Sequence, residues 1–168
     1  SSDVCSSDLE ADYALVAYGG NDSDYDWAAI DADPAGDHRP RTELPAFREK
    51  LRHTVTMLRE RGIQPVLMSL PPIDAARYLA FICRDGLRKE RIMDWLGDVQ
   101  MIYRHQEMYS DAVTQLVYAE GLPLIPVREE FLNDHRLMRL IAADGIHLTM
   151  PGYERLFDTL ADWLRIRV

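Results

Sequence analysis

Three short apolar runs, separated by longer segments with helical periodicity, restrict the possible folds more than any other feature of the sequence. The runs are residues 12–18 (DYALVAY), 63–70 (IQPVLMSL) and 122–127 (LPLIPV); the first stops at Gly19-Gly20 and the second at Pro71-Pro72. Continuous apolar runs of this length are typical of strands that are buried on both faces of a parallel sheet. We therefore predict three parallel strands that are adjacent in this order.

The segments between the runs repeat their apolar residues at helical spacing. Helices are predicted from the Thr42 region to Gly62, over residues 99–120 and at the C-terminal end, with short helices around 129–133 and 137–142. Residues 21–41 are predicted as a long loop, and the excess chain between the second and third strands as a cap over the carboxyl edge of the sheet. The alternation of strands and helices indicates an α/β fold. The apolar helix faces comprise Phe47, Leu51, Val55 and Leu58; Val99, Ile102, Tyr103, Tyr109, Val113, Leu116 and Val117; and Tyr153, Leu156, Phe157, Leu160 and Leu164.

Composition and charge exclude several classes of function. The chain has 168 residues and a formal net charge of −9, which argues against electrostatic capture of nucleic acid or of an anionic membrane surface. No apolar run approaches the roughly 18 residues of a transmembrane segment. We therefore expect a small-molecule partner, no nucleic acid and no transmembrane segment.

The first nine residues, SSDVCSSDL, differ from the rest of the chain. They have no apolar periodicity, and all nine match the conceptual translation of a common sequencing-adapter oligonucleotide. We interpret residues 1–9 as an assembly artefact and exclude them from fold reasoning, which leaves residues 10–168 as the genuine part and Cys83 as its one cysteine. The location of the protein is unknown from the sequence, with the cytoplasm favoured. The true N-terminus would be missing on this interpretation, so secretion stays open.

Two short motifs follow predicted strands. Gly19-Gly20-Asn21-Asp22 comes directly after the first strand, and Asp144-Gly145-Ile146-His147 lies between the third strand and the last helix. Together and in this order they resemble the blocks Gly-x-Asn-Asp and Asp-x-x-His of the SGNH or GDSL-type serine hydrolases. The resemblance extends from Asp12 to Leu164 and implies a flavodoxin-like, three-layer α/β/α fold with a parallel sheet, of which residues 10–168 form a partial domain.

The resemblance also implies a role for each matching residue. His147 would be the general base and Asp144 its orienting carboxylate, since an imidazole needs a partner on its second nitrogen to fix the tautomer and stabilise the charged form. Asn21 and Gly19, or Gly20 beside it, would form the oxyanion hole. The substrate class implied is an acyl ester, and the resemblance implies neither a cofactor nor a metal.

The chain departs from the family pattern at the nucleophile. In the family, two further blocks lie upstream of the strand at residues 12–18: a Gly-Asp-Ser block with the nucleophile and a block with an oxyanion glycine. We therefore expect the family's first strand and its nucleophile to be missing from this chain. The chain alone is expected to be inactive. Ser6 and Ser7 lie in the adapter-like segment. Ser23 follows the Asn21 loop, Ser69 lies inside a predicted strand and Ser110 lies inside a predicted helix. None of these positions is typical of a nucleophile.

Several other patterns have simpler interpretations. Asp22, Asp24 and Asp26 alternate as in a calcium loop, but Trp27 and Asp33 stand where that loop needs glycine and glutamate. Trp27 and Trp95 are interpreted as buried residues or as a pocket wall, and Tyr103, Tyr109 and Tyr118 as packing residues. The remaining histidines, His38, His53, His105 and His135, lack metal-ligand spacing. The competing function is a non-catalytic flavodoxin-like binding module, which leaves Asp144 and His147 unexplained.

Overall fold

The parallel sheet is confirmed in a computed structural model that describes residues 11–167; the interpretation of residues 1–9 lies outside this range. Its strands are β1 (Tyr13–Val16), β2 (Gln64–Met68) and β3 (Leu124–Ile125), in the order β1-β2-β3. Both pairings are parallel, with Leu15 opposite Val66 and Leu67 opposite Leu124. The predicted adjacency of the three strands is therefore correct.

Helices alternate with the strands, as the periodicity predicts. Those of the described residues are α1 (Trp27–Ala32), α2 (Leu44–Glu60), α3 (Ala75–Ile82), α4 (Lys89–Leu96), α5 (Gln100–Glu120), α6 (Val127–Leu132) and α7 (Met150–Arg167), with a 3₁₀ turn at Leu137–Arg139. No helix within residues 11–167 has both the length and the apolar character that crossing a membrane requires.

Two apolar layers cover the faces of the sheet and give the predicted α/β/α architecture. Helices α2 and α5 pack on the face that carries Val16 and Leu67, where Phe47 and Tyr109 are among the fully buried side chains. Helices α6 and α7 pack on the opposite face. That second core contains Val66, Ile125, Val127, Phe131 and Leu140, with Leu156, Leu160 and Trp163 of α7 against it.

A third apolar cluster lies outside the layers. It joins α1, α3, α4 and the first turns of α5, with Ile30 and Ile92 completely buried at its centre. Tyr78 and Trp95 of this cluster share a cavity with residues that directly follow β1 and β2. The chain between β2 and β3 therefore forms the cap that was predicted at the carboxyl edge of the sheet.

The structure corrects four details of the sequence prediction. Residues 21–41 are not one loop but contain α1, whose N-terminus is capped by Asp26 through a 3.0 Å bond from Ala29 N. The short helix predicted over residues 137–142 is a single 3₁₀ turn. Tyr118 was predicted to pack and is instead 80% exposed, because it lies on the outer side of α5. On α7, Phe157 is 63% exposed, because the side of the helix that faces the sheet is narrower than its apolar stripe.

Candidate active site

The loop after β1 is a compact turn that brings backbone close to β2. Ser23 N donates to Gly19 O at 3.1 Å, and Ser23 Oγ donates to Gly20 O at 2.9 Å. A Cβ on Gly19 would lie 3.0 Å from a methyl group of Leu70, so the close approach favours glycine. Asn21 is exposed at the tip of this turn, and its side-chain amide has no hydrogen-bond partner among residues 11–167. The amide is therefore free to bind a ligand.

Asp144 and His147 form a hydrogen-bonded pair within one turn. Asp144 Oδ2 lies 2.7 Å from His147 Nδ1, while Oδ1 accepts bonds from the backbone N–H groups of Ile146 and His147 at 3.1 and 3.0 Å. A carboxylate accepts hydrogen bonds, so this contact fixes the tautomer with the proton on Nδ1 and leaves Nε2 as the basic nitrogen. The His147 side chain is 68% exposed, so the imidazole is accessible to solvent.

Hydrogen bonding keeps Asp144 ionised. Partial burial acts to raise the pKa of its carboxyl, but the bonds from the His147 ring and from the backbone of His147 and Ile146 outweigh it and hold that pKa below its ordinary value. An ionised carboxylate on Nδ1 stabilises the imidazolium that forms when Nε2 takes up a proton.

The two motifs open onto one cavity of about 580 Å³. Gly19, Gly20, Asn21 and His147 all line it, whereas Asp144 supports His147 and is not part of the lining. The structure thus brings together the residues that the two sequence motifs singled out. The cavity lies at the carboxyl ends of β1 and β2, where ligands bind in open α/β sheets.

Helix α3 connects the two motifs physically. At its N-terminus, Asp74 N donates to Gly145 O at 2.8 Å, which seats the Asp144–His147 turn on the helix. One helical turn later, Tyr78 OH donates to Asp24 Oδ1 at 2.7 Å, which ties the end of the Asn21 loop to the same helix. Burial, followed by the hydrogen bond to Asp24, raises the pKa of Tyr78, so its hydroxyl stays protonated and remains a donor.

None of the serines in the described range contacts the His147 ring. Ser23 lines the cavity, but its hydroxyl donates a hydrogen bond to Gly20 O. Ser69 accepts from Arg128 N and Ser110 accepts from Leu70 N, both at nearly full burial. These hydroxyls stabilise loops and helix ends.

Two of the three alternating aspartates have structural roles. The Asp24 carboxylate accepts from Tyr78 and from Trp27 Nε1, and Asp26 caps α1. Within residues 11–167, no group of three or more His, Cys, Asp or Glu side chains is arranged to hold a metal ion. Asp22 and Asp24 line the cavity, whereas Asp26 does not.

Several cavity residues were not recognised as such in the sequence. His105 lines the cavity with its Nδ1 3.4 Å from Tyr25 OH, and burial lowers the pKa of this imidazole. Tyr25 lies three residues beyond the Gly19-Gly20-Asn21-Asp22 motif, close enough in sequence to have been suspected. Tyr78 and Met101 carried no signal, because only the folding of the cap brings them to the cavity.

No protein-family model matches the chain, and no curated protein matches it. Solved structures do. The lipase/acylhydrolase from Enterococcus faecalis superposes with a TM-score of 0.60 at 18% identity, over 93% of this chain and 62% of that one. The GDSL-like lipase from Bacteroides thetaiotaomicron VPI-5482 gives a TM-score of 0.60 at 14% identity, over 94% and 63%. LAE5, an alpha/beta hydrolase enzyme from the metagenome of Lake Arreo, Spain, superposes with a TM-score of 0.57 at 17% sequence identity. The match covers 90% of this chain and 59% of LAE5.

The chain thus spans about three fifths of the length of these solved structures. At such identities the similarity concerns the fold alone. The chain has the α/β fold of the GDSL-like lipases and acylhydrolases, that is, the SGNH hydrolase fold.

Proposed function

We propose that the chain is part of a serine hydrolase that cleaves acyl esters, with His147 as general base. The observation that carries the proposal is the 2.7 Å contact between Asp144 and His147 at the cavity that Asn21 also lines. A hydrogen-bonded carboxylate–imidazole pair beside an unpartnered amide donor suits acyl transfer, in which a proton is removed from a hydroxyl while negative charge develops on a carbonyl oxygen.

The proposed mechanism follows from the geometry. His147 Nε2 takes the proton of the attacking serine hydroxyl while Nδ1–H remains bonded to Asp144, which stabilises the imidazolium. The oxyanion accepts a hydrogen bond from the Asn21 amide, and the backbone N–H of Gly19 or Gly20 supplies a second donor. His147 then returns its proton to the leaving oxygen, and the acyl-enzyme is hydrolysed by water in the same way.

The attacking serine is proposed to come from outside the described residues. Ser23, Ser69 and Ser110 are each committed to other bonds, and the solved structures of this fold are longer than this chain. On this proposal residues 10–168 are part of one hydrolase domain, and the 168-residue chain alone has no esterase activity.

The test compares the 168-residue chain with a form that carries the upstream sequence of the parent gene. A short-chain aryl ester is the substrate, and the extended form is expected to hydrolyse it while the chain alone does not. His147→Ala in the extended form should lower kcat by about 10⁶-fold and Asn21→Ala by about 10²- to 10³-fold. His53→Ala, at an exposed position of α2, is the matched control and should leave kcat unchanged.

Hydrolysis that survives His147→Ala would assign the chemistry to other residues. An extended form that binds small ligands without any turnover would instead favour a non-catalytic binding module.

A further inference from the structure

The cavity beside His147 is walled by aromatic side chains, and the polar atoms of three of them, Tyr25, Trp27 and Tyr78, are already used within the protein. Tyr25 packs edge-on against Trp95 with ring centroids 4.9 Å apart, and Trp27 packs edge-on against Tyr78 at 6.0 Å. Trp27 Nε1 and Tyr78 OH both donate to Asp24, and Tyr25 OH pairs with His105. Because these groups are committed within the protein, the rings offer a ligand mainly carbon surface.

The charged side chains that line the cavity are acidic. Asp22 and Asp24 belong to the lining, and no Lys or Arg of residues 11–167 does. Asp24 is partly compensated by Arg41, whose Nη2 lies 3.4 Å from Oδ2, whereas the Asp22 carboxylate has no ion pair in the described range. His105 adds no positive charge near pH 7, because burial lowers its pKa. An anion entering this cavity meets two carboxylates of the same sign, of which only Asp24 has a cation nearby.

We propose that this cavity selects uncharged acyl esters, whose apolar acyl chain packs against the Tyr25–Trp27–Tyr78–Trp95 wall, and rejects anionic substrates such as acyl groups on phosphate-bearing carriers. The inference rests on the proposed function for the reaction, and adds the substrate class. Met101, 38% exposed on α5, forms part of the same lining and contributes further apolar surface. Specificity thus comes from an apolar wall combined with uncompensated negative charge.

Binding to the 168-residue chain tests the selection without requiring turnover. The probes are 2-octanone, octanoate and octylammonium, which share eight carbons and differ in charge; 2-octanone resembles an ester carbonyl and is not hydrolysed. We expect 2-octanone to bind at least about tenfold more tightly than octanoate, because like charges repel in a partly desolvated site. Shortening 2-octanone to 2-hexanone should weaken binding by up to about fourfold per methylene removed.

A charge substitution in the lining provides the sharper test. Met101→Lys places a cation in the cavity and should strengthen octanoate binding relative to 2-octanone by about tenfold. Met108→Lys is the matched control, because Met108 is similarly exposed on α5, at 44%, but lies outside the lining. It should leave the preference for 2-octanone unchanged.

Three outcomes would overturn the inference: octanoate binding as tightly as 2-octanone, octylammonium binding as weakly as octanoate although carboxylates attract a cation, or no probe binding at all. An equal effect of Met101→Lys and Met108→Lys would overturn it as well, since the selection would then reflect the net charge of the protein. None of these results depends on His147, so a failure here is separable from a failure of the esterase assay with His147→Ala.

Discussion

Gly145 is the position where a single methyl group should disturb the candidate site most. The residue has φ +82°, and a Cβ built there would lie 2.5 Å from both Asp74 O and Tyr78 N. These are backbone atoms at the start of α3 and cannot rotate away, so Gly145→Ala must shift the turn or the helix by about 0.9 Å to restore ordinary contact. The hydrogen bond from Asp74 N to Gly145 O would be broken by this shift.

The cost has three parts. A left-handed conformation costs an L-residue about 1–2 kcal/mol, overpacking against fixed atoms about 1–3 kcal/mol, and the lost hydrogen bond about 0.5–1.5 kcal/mol. We therefore expect Gly145→Ala to lower the free energy of unfolding by about 2.5–6.5 kcal/mol. Gly121→Ala is the matched control, because Gly121 has φ +61° at the end of α5 with no atom near the added methyl. It should show the conformational cost alone, about 1–2 kcal/mol.

Urea unfolding of the two variants and of the unchanged chain measures the difference. The Nδ1 proton of His147, observed by NMR, reports whether the bond to Asp144 survives at the displaced turn. Equal losses of stability in Gly145→Ala and Gly121→Ala would refute the reasoning, because the close seating of the turn on α3 would then contribute nothing.

Two further predictions concern the same part of the molecule. Tyr78→Phe removes the hydroxyl that donates to Asp24 and should lower the free energy of unfolding, measured by urea titration, by about 1–2 kcal/mol. Tyr118→Phe, at an 80% exposed position, is the control and should change the free energy of unfolding by less than about 0.5 kcal/mol. Equal effects of the two substitutions would argue against the link through α3. Because the pKa of Asp144 is lowered in the folded protein, this carboxylate contributes stability above the ordinary pKa of 3.8 that is lost as the pH falls through the folded value. The free energy of unfolding should therefore decrease more steeply below about pH 4 in the unchanged chain than in Asp144→Asn, and parallel pH curves would contradict the assignment.

The parts of the structure that were predictable depend on local sequence. Asp144 and His147 are three residues apart, so one turn is enough to bring carboxylate and imidazole into contact. Asn21 could be placed near them, since in an open parallel sheet the loops after the strands meet at one edge. Their catalytic roles stay a proposal, as does the division of the chain at residue 9.

The parts that could not be predicted depend on contacts between distant segments. Asp24 and Tyr78 are 54 residues apart, and no sequence pattern connects them. The sequence also did not predict which side of α7 faces the sheet. Leu156 and Phe157 are neighbours in one apolar stripe, yet Leu156 packs towards the sheet and Phe157 is exposed. Periodicity identifies an apolar face, whereas the neighbouring elements decide how much of it is covered.

The exposed apolar residues of β1 should determine how self-association of this protein responds to salt. Among residues 11–167, β1 pairs with β2 alone, and its Tyr13 and Leu15 are about half exposed, at 51% and 49%. A net charge of −9 keeps two such molecules apart in dilute buffer, where repulsion extends over about 30 Å at 0.01 M salt. At 1 M salt that range shrinks to about 3 Å, while attraction between apolar strands remains. Added salt, which usually weakens the association of charged proteins, should therefore promote self-association here.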